Sequence, residues 1–298
     1  MVRRGFALLL TSLLLAACRE RATPSGPVAY RDDWGRRVAL AAPAQRIVSL
    51  SPSTTELLFA MGLGARVVGR THWCDWPPET RAVADVGDGL APNVEAVAAR
   101  RPDLVLAYAS EANLAAVDRF EALGIAVAVL KLDRAEDLRH AAVVVGSLTG
   151  TAAAADSLVA TFDRGIRAAL AALSTGAART RVYVAIEPNP PITVGSGSYL
   201  SQIVEFAGGV NVFADVRTSS APVSLEAIVA RDPDVILSLD TNQSAARLAA
   251  RPGWFALRAV RARHVIVVDP SLFGRPSPRL PDAVRTLAAA FHAAAGGR

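Results

Sequence analysis

The sequence predicts an α/β protein of two lobes, each a parallel sheet covered by helices, joined by one long rigid α-helix. Three observations predict it. Short β-branched runs alternate with Ala- and Leu-rich stretches, the pattern of parallel strands connected through helices. A helix–Pro-Asp–strand unit occurs twice: residues 94–108 read VEAVAARRPDLVLAY and residues 225–239 read LEAIVARDPDVILSL, at a constant offset of 131 residues. Glu95 matches Glu226, Arg100 matches Arg231, Pro102 matches Pro233 and Asp103 matches Asp234. Between the copies, Ala152–Ser174 contains no Pro and a single glycine, Gly165. If wholly helical, at 1.5 Å per residue, it is roughly 35 Å long and too regular for a flexible linker.

The elements follow in order. Arg3 and Arg4 precede an apolar run, Phe6–Ala17, that closes on Leu15-Ala16-Ala17-Cys18. The run is shorter than the roughly 20 apolar residues that span a bilayer, so residues 1–18 read as a secretory signal. Small residues before Cys18 resemble the lipobox of bacterial lipoproteins, which implies lipidation of Cys18 and attachment to a membrane through that lipid. Residues 19–29 are polar with Pro and Gly, a tether that builds no core. Residues 30–150 form the first lobe, 151–176 the connecting helix and 177–298 the second lobe. In the first, Tyr30–Leu40 holds a turn signal, Asp32-Asp33-Trp34-Gly35, between short extended runs, which predicts a hairpin. Strands are expected at Arg46–Leu50, Val67–Arg70, Leu104–Ala107 and Ala126–Leu130, then at Val182–Ile186, Val235–Leu239 and Val265–Asp269. Ser53 and Glu56 read as a capping box opening a helix that Gly62 closes. Tyr199–Ala207 is a further helix, stopped by Gly208-Gly209. The two Rossmann-like lobes face each other across a cleft, and such sheets bind ligands beyond the carboxyl ends of their strands.

Composition excludes several function classes. Loss of Arg3 and Arg4 with the signal lowers the formal charge from +5 to +3, and no basic run interleaves with aromatics, so nucleic acid is not an expected partner. Cys74 is the only cysteine besides Cys18, which leaves no internal disulfide and no cysteine metal cage. His72, His140, His264 and His292 are scattered, with no pair at ligand spacing, so no metal or other cofactor is expected. Gly195-Ser196-Gly197-Ser198 lacks the Lys-Ser/Thr ending of a phosphate loop and reads as a tight turn. No H-E-x-x-H or G-x-S-x-G element occurs. A binding protein is therefore favoured over an enzyme, with a dispersed catalytic set and an empty-cleft scaffold left as the competing classes.

Several stretches together carry a resemblance: RIVSLSPSTTELLFAMGLGARVVG (46–69), CDWPPE (74–79), NVEAVAARRPDLVLA (93–107), AGGVNVF (207–213), VSLEAIVARDPDVIL (223–237) and FGRPSPRL (273–280). In this order and spacing the chain resembles the helical-backbone class of periplasmic binding proteins of ABC importers, most of all its vitamin B12-binding members. The resemblance implies a monomeric, extracytoplasmic carrier that captures cobalamin or a related corrinoid and delivers it to a permease. Ferric siderophores and haem are the alternative ligands of the class.

The same resemblance supplies site residues. Glu95 and Glu226 match the acids that dock each lobe on permease arginines. Asn93 and Ser224 as helix N-caps account for the same acids by dipole stabilisation in a first turn, and the two readings are compatible. Trp73 matches an aromatic ligand contact; Trp76 with Pro77-Pro78 extends the surface or packs beneath its own loop. Across the cleft, the contact loop maps onto Ser271, Leu272, Phe273, Gly274 and Arg275, with Arg275 either gripping a ligand anion or holding a structural salt bridge. Here the chain departs from its relatives. Ser271 replaces an acid and Leu272 an aromatic, further aromatic contacts become Ile192 and Ser220, and another falls near Gly89. His72 beside Trp73 is the one evident axial ligand for haem.

Overall fold

Apolar side chains on both faces of each central strand decide how the chain layers. The computed structural model describes residues 26–173 and 179–296; Cys18 and residues 174–176 of the expected connecting segment lie outside them. The described chain opens with an antiparallel hairpin, β1 (Val28–Arg31) and β2 (Arg37–Leu40), paired Val28 to Leu40 and Arg31 to Arg37. The ladder starts two residues before the expected Tyr30, so Val28 and Ala29 belong to the hairpin rather than to a tether. In its turn, the buried Asp32 carboxylate accepts the amides of Trp34, Arg36 and Val129 and pairs with Arg36. These bonds fasten the hairpin to the neighbouring sheet.

The first lobe runs β3 (Ile47–Ser49), α1 (Pro52–Ala60), β4 (Val67–Arg70), α2 (Val94–Ala98), β5 (Leu104–Tyr108), α3 (Leu114–Ala122), β6 (Ala126–Leu130) and α4 (Asp137–Thr149). Its sheet is wholly parallel, in the order β4-β3-β5-β6. Next, α5 (Ala152–Ala171) leads into the second lobe: β7 (Thr180–Pro188), β8 (Pro191–Val194), α6 (Tyr199–Phe206), β9 (Gly209–Asn211), β10 (Ser220–Pro222), α7 (Leu225–Arg231), β11 (Val235–Ser238), α8 (Ala245–Ala249), α9 (Arg258–Arg261), β12 (Val265–Val267), α10 (Pro270–Phe273) and α11 (Leu280–Gly296). There β7, β9, β11 and β12 are parallel, but β8 and β10 join antiparallel, in the order β10-β8-β7-β11-β12 with β9 beside β7. The second sheet is therefore mixed: the three expected strands pair in parallel, and two strands the sequence did not reveal add antiparallel pairing. Its antiparallel strands are short and carry Pro191 and Pro222, so they show no apolar run to betray them.

Strand alternation sorts the core into three clusters. Leu104 and Leu106 of β5 face one side and Val105 and Ala107 the other; Val182 and Val184 of β7 are likewise split from Tyr183 and Ala185. The clusters on the outer faces are separate, one per lobe. The third is continuous: it contains Ile47 and Leu104 of the first sheet, Phe162 and Ile166 of α5, and Val182 and Leu237 of the second. One apolar body shared by both sheets restrains lobe movement, because separating the lobes would expose it to water.

The connecting helix has 20 residues, about 30 Å. It buries Ala155, Phe162, Ile166 and Ala169 on one stripe and packs on α4 and α11. Gly165 is required there, since a Cβ would lie 2.8 Å from the Pro281 ring.

The capping box at Ser53 is overturned. The helix begins at Pro52 after Ser51, with no side-chain cap, and Gly62 at φ +75° closes it as expected. Proline at the first helical position needs no amide partner, which moves the N-cap two residues back, from Ser53 to Ser51. Glu56 is then free of capping duty, and its carboxylate goes to arginines of the other lobe.

Candidate functional site

The carboxyl ends of β3, β4 and β5 converge on one hollow of about 210 Å³, lined by Leu50, Ser51, Thr71, Trp73, Leu90 and Tyr108 among others. Trp73 follows β4 and offers a largely bare indole, 60% exposed. Its ring lies 4.6 Å from that of His72. Asp88 borders the hollow, held below the usual carboxylate range chiefly by the Leu90 amide, with a further bond from Trp73. Gly89 can only be glycine: a Cβ would sit 2.0 Å from the Leu50 carbonyl oxygen. Close backbone packing thus explains why no aromatic stands there; Leu90 supplies the apolar surface instead, 53% exposed.

Tyr108 ends β5 at the hollow and was not singled out from the sequence. The available signal was an aromatic at the carboxyl end of a buried strand. Its hydroxyl donates to Asp133 Oδ1 at 2.5 Å. Burial and that carboxylate push the phenol up to about 12. Tyr108 is therefore a neutral aromatic wall at physiological pH, with its proton committed to Asp133.

Trp76 serves a different hollow from Trp73. It lines a groove of about 410 Å³ with Phe59, Pro77, Pro278 and Arg279, and the Arg279 guanidinium lies 4.6 Å from its ring centroid. The two indoles line separate hollows.

The second-lobe contact loop is α10 and its end. Phe273 is 1% exposed and belongs to the shared core, and Leu272 packs against the same cluster. These apolar side chains turn inward because α10 must cover the sheet, so the Phe273 ring is core rather than cleft wall. Gly274 ends the helix where a Cβ would meet the Pro270 carbonyl at 2.6 Å. Ser271 Oγ donates to Asp75 Oδ1 at 3.1 Å. Arg275 Nε donates to Glu56 at 2.8 Å and its Nη2 to Asp75. Burial works against the Arg275 charge, yet Asp75 and Glu56 hold its pKa above the ordinary value. Ile192 and Ser220 stand on the antiparallel strands β8 and β10, where Ile192 pairs with Pro222 and Ser220 with Val194; Ser220 is exposed.

Both acids of the repeat are exposed at helix starts. Asn93 accepts the Ala96 amide at 2.9 Å and Ser224 the Ala227 amide at 3.2 Å. First-turn backbone amides draw Glu95 and Glu226 below their ordinary pKa. Glu95 also pairs with Arg119 at 2.6 Å. Among the described residues no group of three or more His, Cys, Asp or Glu is arranged to hold a metal ion.

Two α/β lobes on a helical spine, with an aromatic hollow beyond the strand ends, define a two-lobed solute-binding protein. The chain belongs to the periplasmic binding protein family, whose profile matches residues 47–272. It is 31% identical over 303 residues to YvrC of Bacillus subtilis strain 168, an uncharacterized ABC transporter substrate-binding lipoprotein, covering 96% of this chain and 95% of that one. It is 32% identical over 282 residues to a cobalamin-binding protein of Halobacterium salinarum, covering 90% of this chain and 75% of the relative. Among solved structures, the periplasmic heme-binding protein BhuT in complex with two hemes superposes with a TM-score of 0.77 at 29% identity, covering 84% of this chain and 98% of BhuT.

Proposed function

We propose that this protein is the lipid-anchored, extracytoplasmic solute-binding component of an ABC importer, and that it captures cobalamin or a related corrinoid between its lobes. The observation that carries this reading is the bare Trp73 indole beside Leu90 and Tyr108 at the strand ends. A large ring laid on that surface buries apolar area and stacks on an aromatic already in place. Identity to a cobalamin-binding protein over most of the chain supports the same ligand. Cys18 carries the lipid, Glu95 and Glu226 meet the permease, and the protein acts as a monomeric carrier rather than an enzyme.

Haem is the second reading, favoured by His72 against Trp73 and by the likeness to BhuT. Tyr108 weighs against it, because its hydroxyl is already engaged with Asp133. A corrinoid brings its own metal environment and asks only for walls. Thermal unfolding of the full-length protein with cobalamin, cobinamide, haem and a ferric siderophore set tests the reading. Cobalamin at a hundred times its dissociation constant stabilises by about 2.7 kcal/mol. A response to haem with none to cobalamin overturns the corrinoid assignment.

A further inference from the structure

Two carboxylates of the first lobe and two guanidiniums of the second meet where the lobes join. Glu56 of α1 is the innermost, its side chain 2% exposed. Arg279 grips it with Nε to Oε2 at 2.7 Å and Nη2 to Oε1 at 2.8 Å, while Arg275 donates to Oε1 at 2.8 Å. Each arginine then reaches a cleft-edge loop. Arg279 donates to the Ser271 carbonyl at 2.7 Å and lies over Trp76; Arg275 binds Asp75 and the Ser271 hydroxyl. Asp75 is two residues from Trp73, and Ser271 sits on α10. One buried anion thereby orders both edges.

We propose that Glu56 is a positioning residue that pins the second lobe against the Trp73 loop and so sets the width of the cleft. The proposal rests on the solute-binding reading. The four charges cancel only when the lobes are together, because each lobe alone brings two of one sign. The Glu56 side chain is only 2% exposed, so losing its arginine partners strands a nearly buried carboxylate, a heavily penalised state. Asp75, with 51% of its side chain exposed, can change partner at little cost. The inner pin is thus fixed and the outer contact yields.

Hydrogen–deuterium exchange on the full-length protein in detergent, together with cobalamin affinity, tests the pin in Glu56→Gln, which keeps the shape and removes the charge. Amides over 71–80 and 269–280 are expected to lose protection while β3 and β11 keep theirs, and cobalamin binding is expected to weaken at least tenfold. Unchanged protection over both segments overturns the proposal. So does loss of protection across both sheets, which marks Glu56 as a general stabilising residue. Arg279→Gln leaves Glu56 paired to Arg275 and reads the same segments if Glu56→Gln does not fold. Should the wild-type protein bind no cobalamin, the ligand assignment fails by itself, and the exchange pattern still decides the pin.

Discussion

The two copies of the helix–Pro-Asp–strand unit have the same skeleton and different duties. In both, an N-cap starts the helix, a residue before proline takes the left-handed region (Arg101 at φ +49°, Asp232 at φ +37°), and the following aspartate accepts amides at the foot of an adjacent strand. Asp103 holds Gln45 and Arg46, and Asp234 holds Arg181. Even the strand-foot arginines correspond, Arg46 bonding to the Arg100 carbonyl and Arg181 to that of Arg231. The differences lie at the ends. The first strand finishes in Tyr108 at the hollow, and its counterpart is Leu239, part of the shared core. At the tips both acids line hollows, of about 570 Å³ at Glu95 and about 500 Å³ at Glu226, but Glu95 is paired to Arg119 whereas Glu226 stands beside Trp254 and Arg251. The two copies share what holds a lobe together and differ in what they present at the strand ends and tips.

The largest expected effect lies at the tips. Reversing both acids, Glu95→Lys with Glu226→Lys, abolishes permease-dependent cobalamin uptake and leaves cobalamin affinity at the wild-type value. The single reversals sharpen the comparison, since Arg119 already occupies Glu95 and Glu226→Lys should cost more uptake. Equal losses would erase the inequality between the lobes. Next, Trp73→Ala removes the exposed stacking face and weakens cobalamin binding by about 2 kcal/mol, roughly thirtyfold, in calorimetric titration. Affinity that survives this substitution moves the recognition surface to the second lobe.

The skeleton itself is open to the same treatment by chemical denaturation. Asp103→Ala costs about 2 kcal/mol of stability for its two amide bonds, and Asp234→Ala about 3 kcal/mol because Arg258 also depends on it. The smallest effect concerns Glu136, which joins the lobes through Gln202 at 2.8 Å. Burial pushes Glu136 up, but Gln202 and Arg134 outweigh it and hold it at about 2. A carboxylate depressed by folding contributes stability above its unfolded pKa, near 4.5, that is lost as pH falls towards 2. The melting temperature of Glu136→Gln should therefore fall less than that of the wild type between pH 5 and pH 3. The side chain is 54% exposed, so solvent screening keeps the difference small.

The hairpin, seven of the sheet strands and the duplicated unit are legible in the sequence, because each rests on local periodicity and turn chemistry, whereas the short β8, β9 and β10 are not. Val67–Arg70 and Ala126–Leu130 fall where β-branched runs place them. Long-range pairing is not legible. Glu56 reads as part of a capping box because the pattern after Ser53 fits one, and only the second lobe, more than 200 residues along, supplies the arginines that claim it. Trp73 and Trp76 are near neighbours in sequence and read as one surface, yet they line different hollows. Phe273 is identical in kind to a ligand aromatic, and burial alone makes it core. Local chemistry determined the elements and their sequence. Which charged groups neutralise one another, and which aromatics remain uncovered, was settled by lobes meeting in space, since desolvation and burial depend on neighbours distant in the chain.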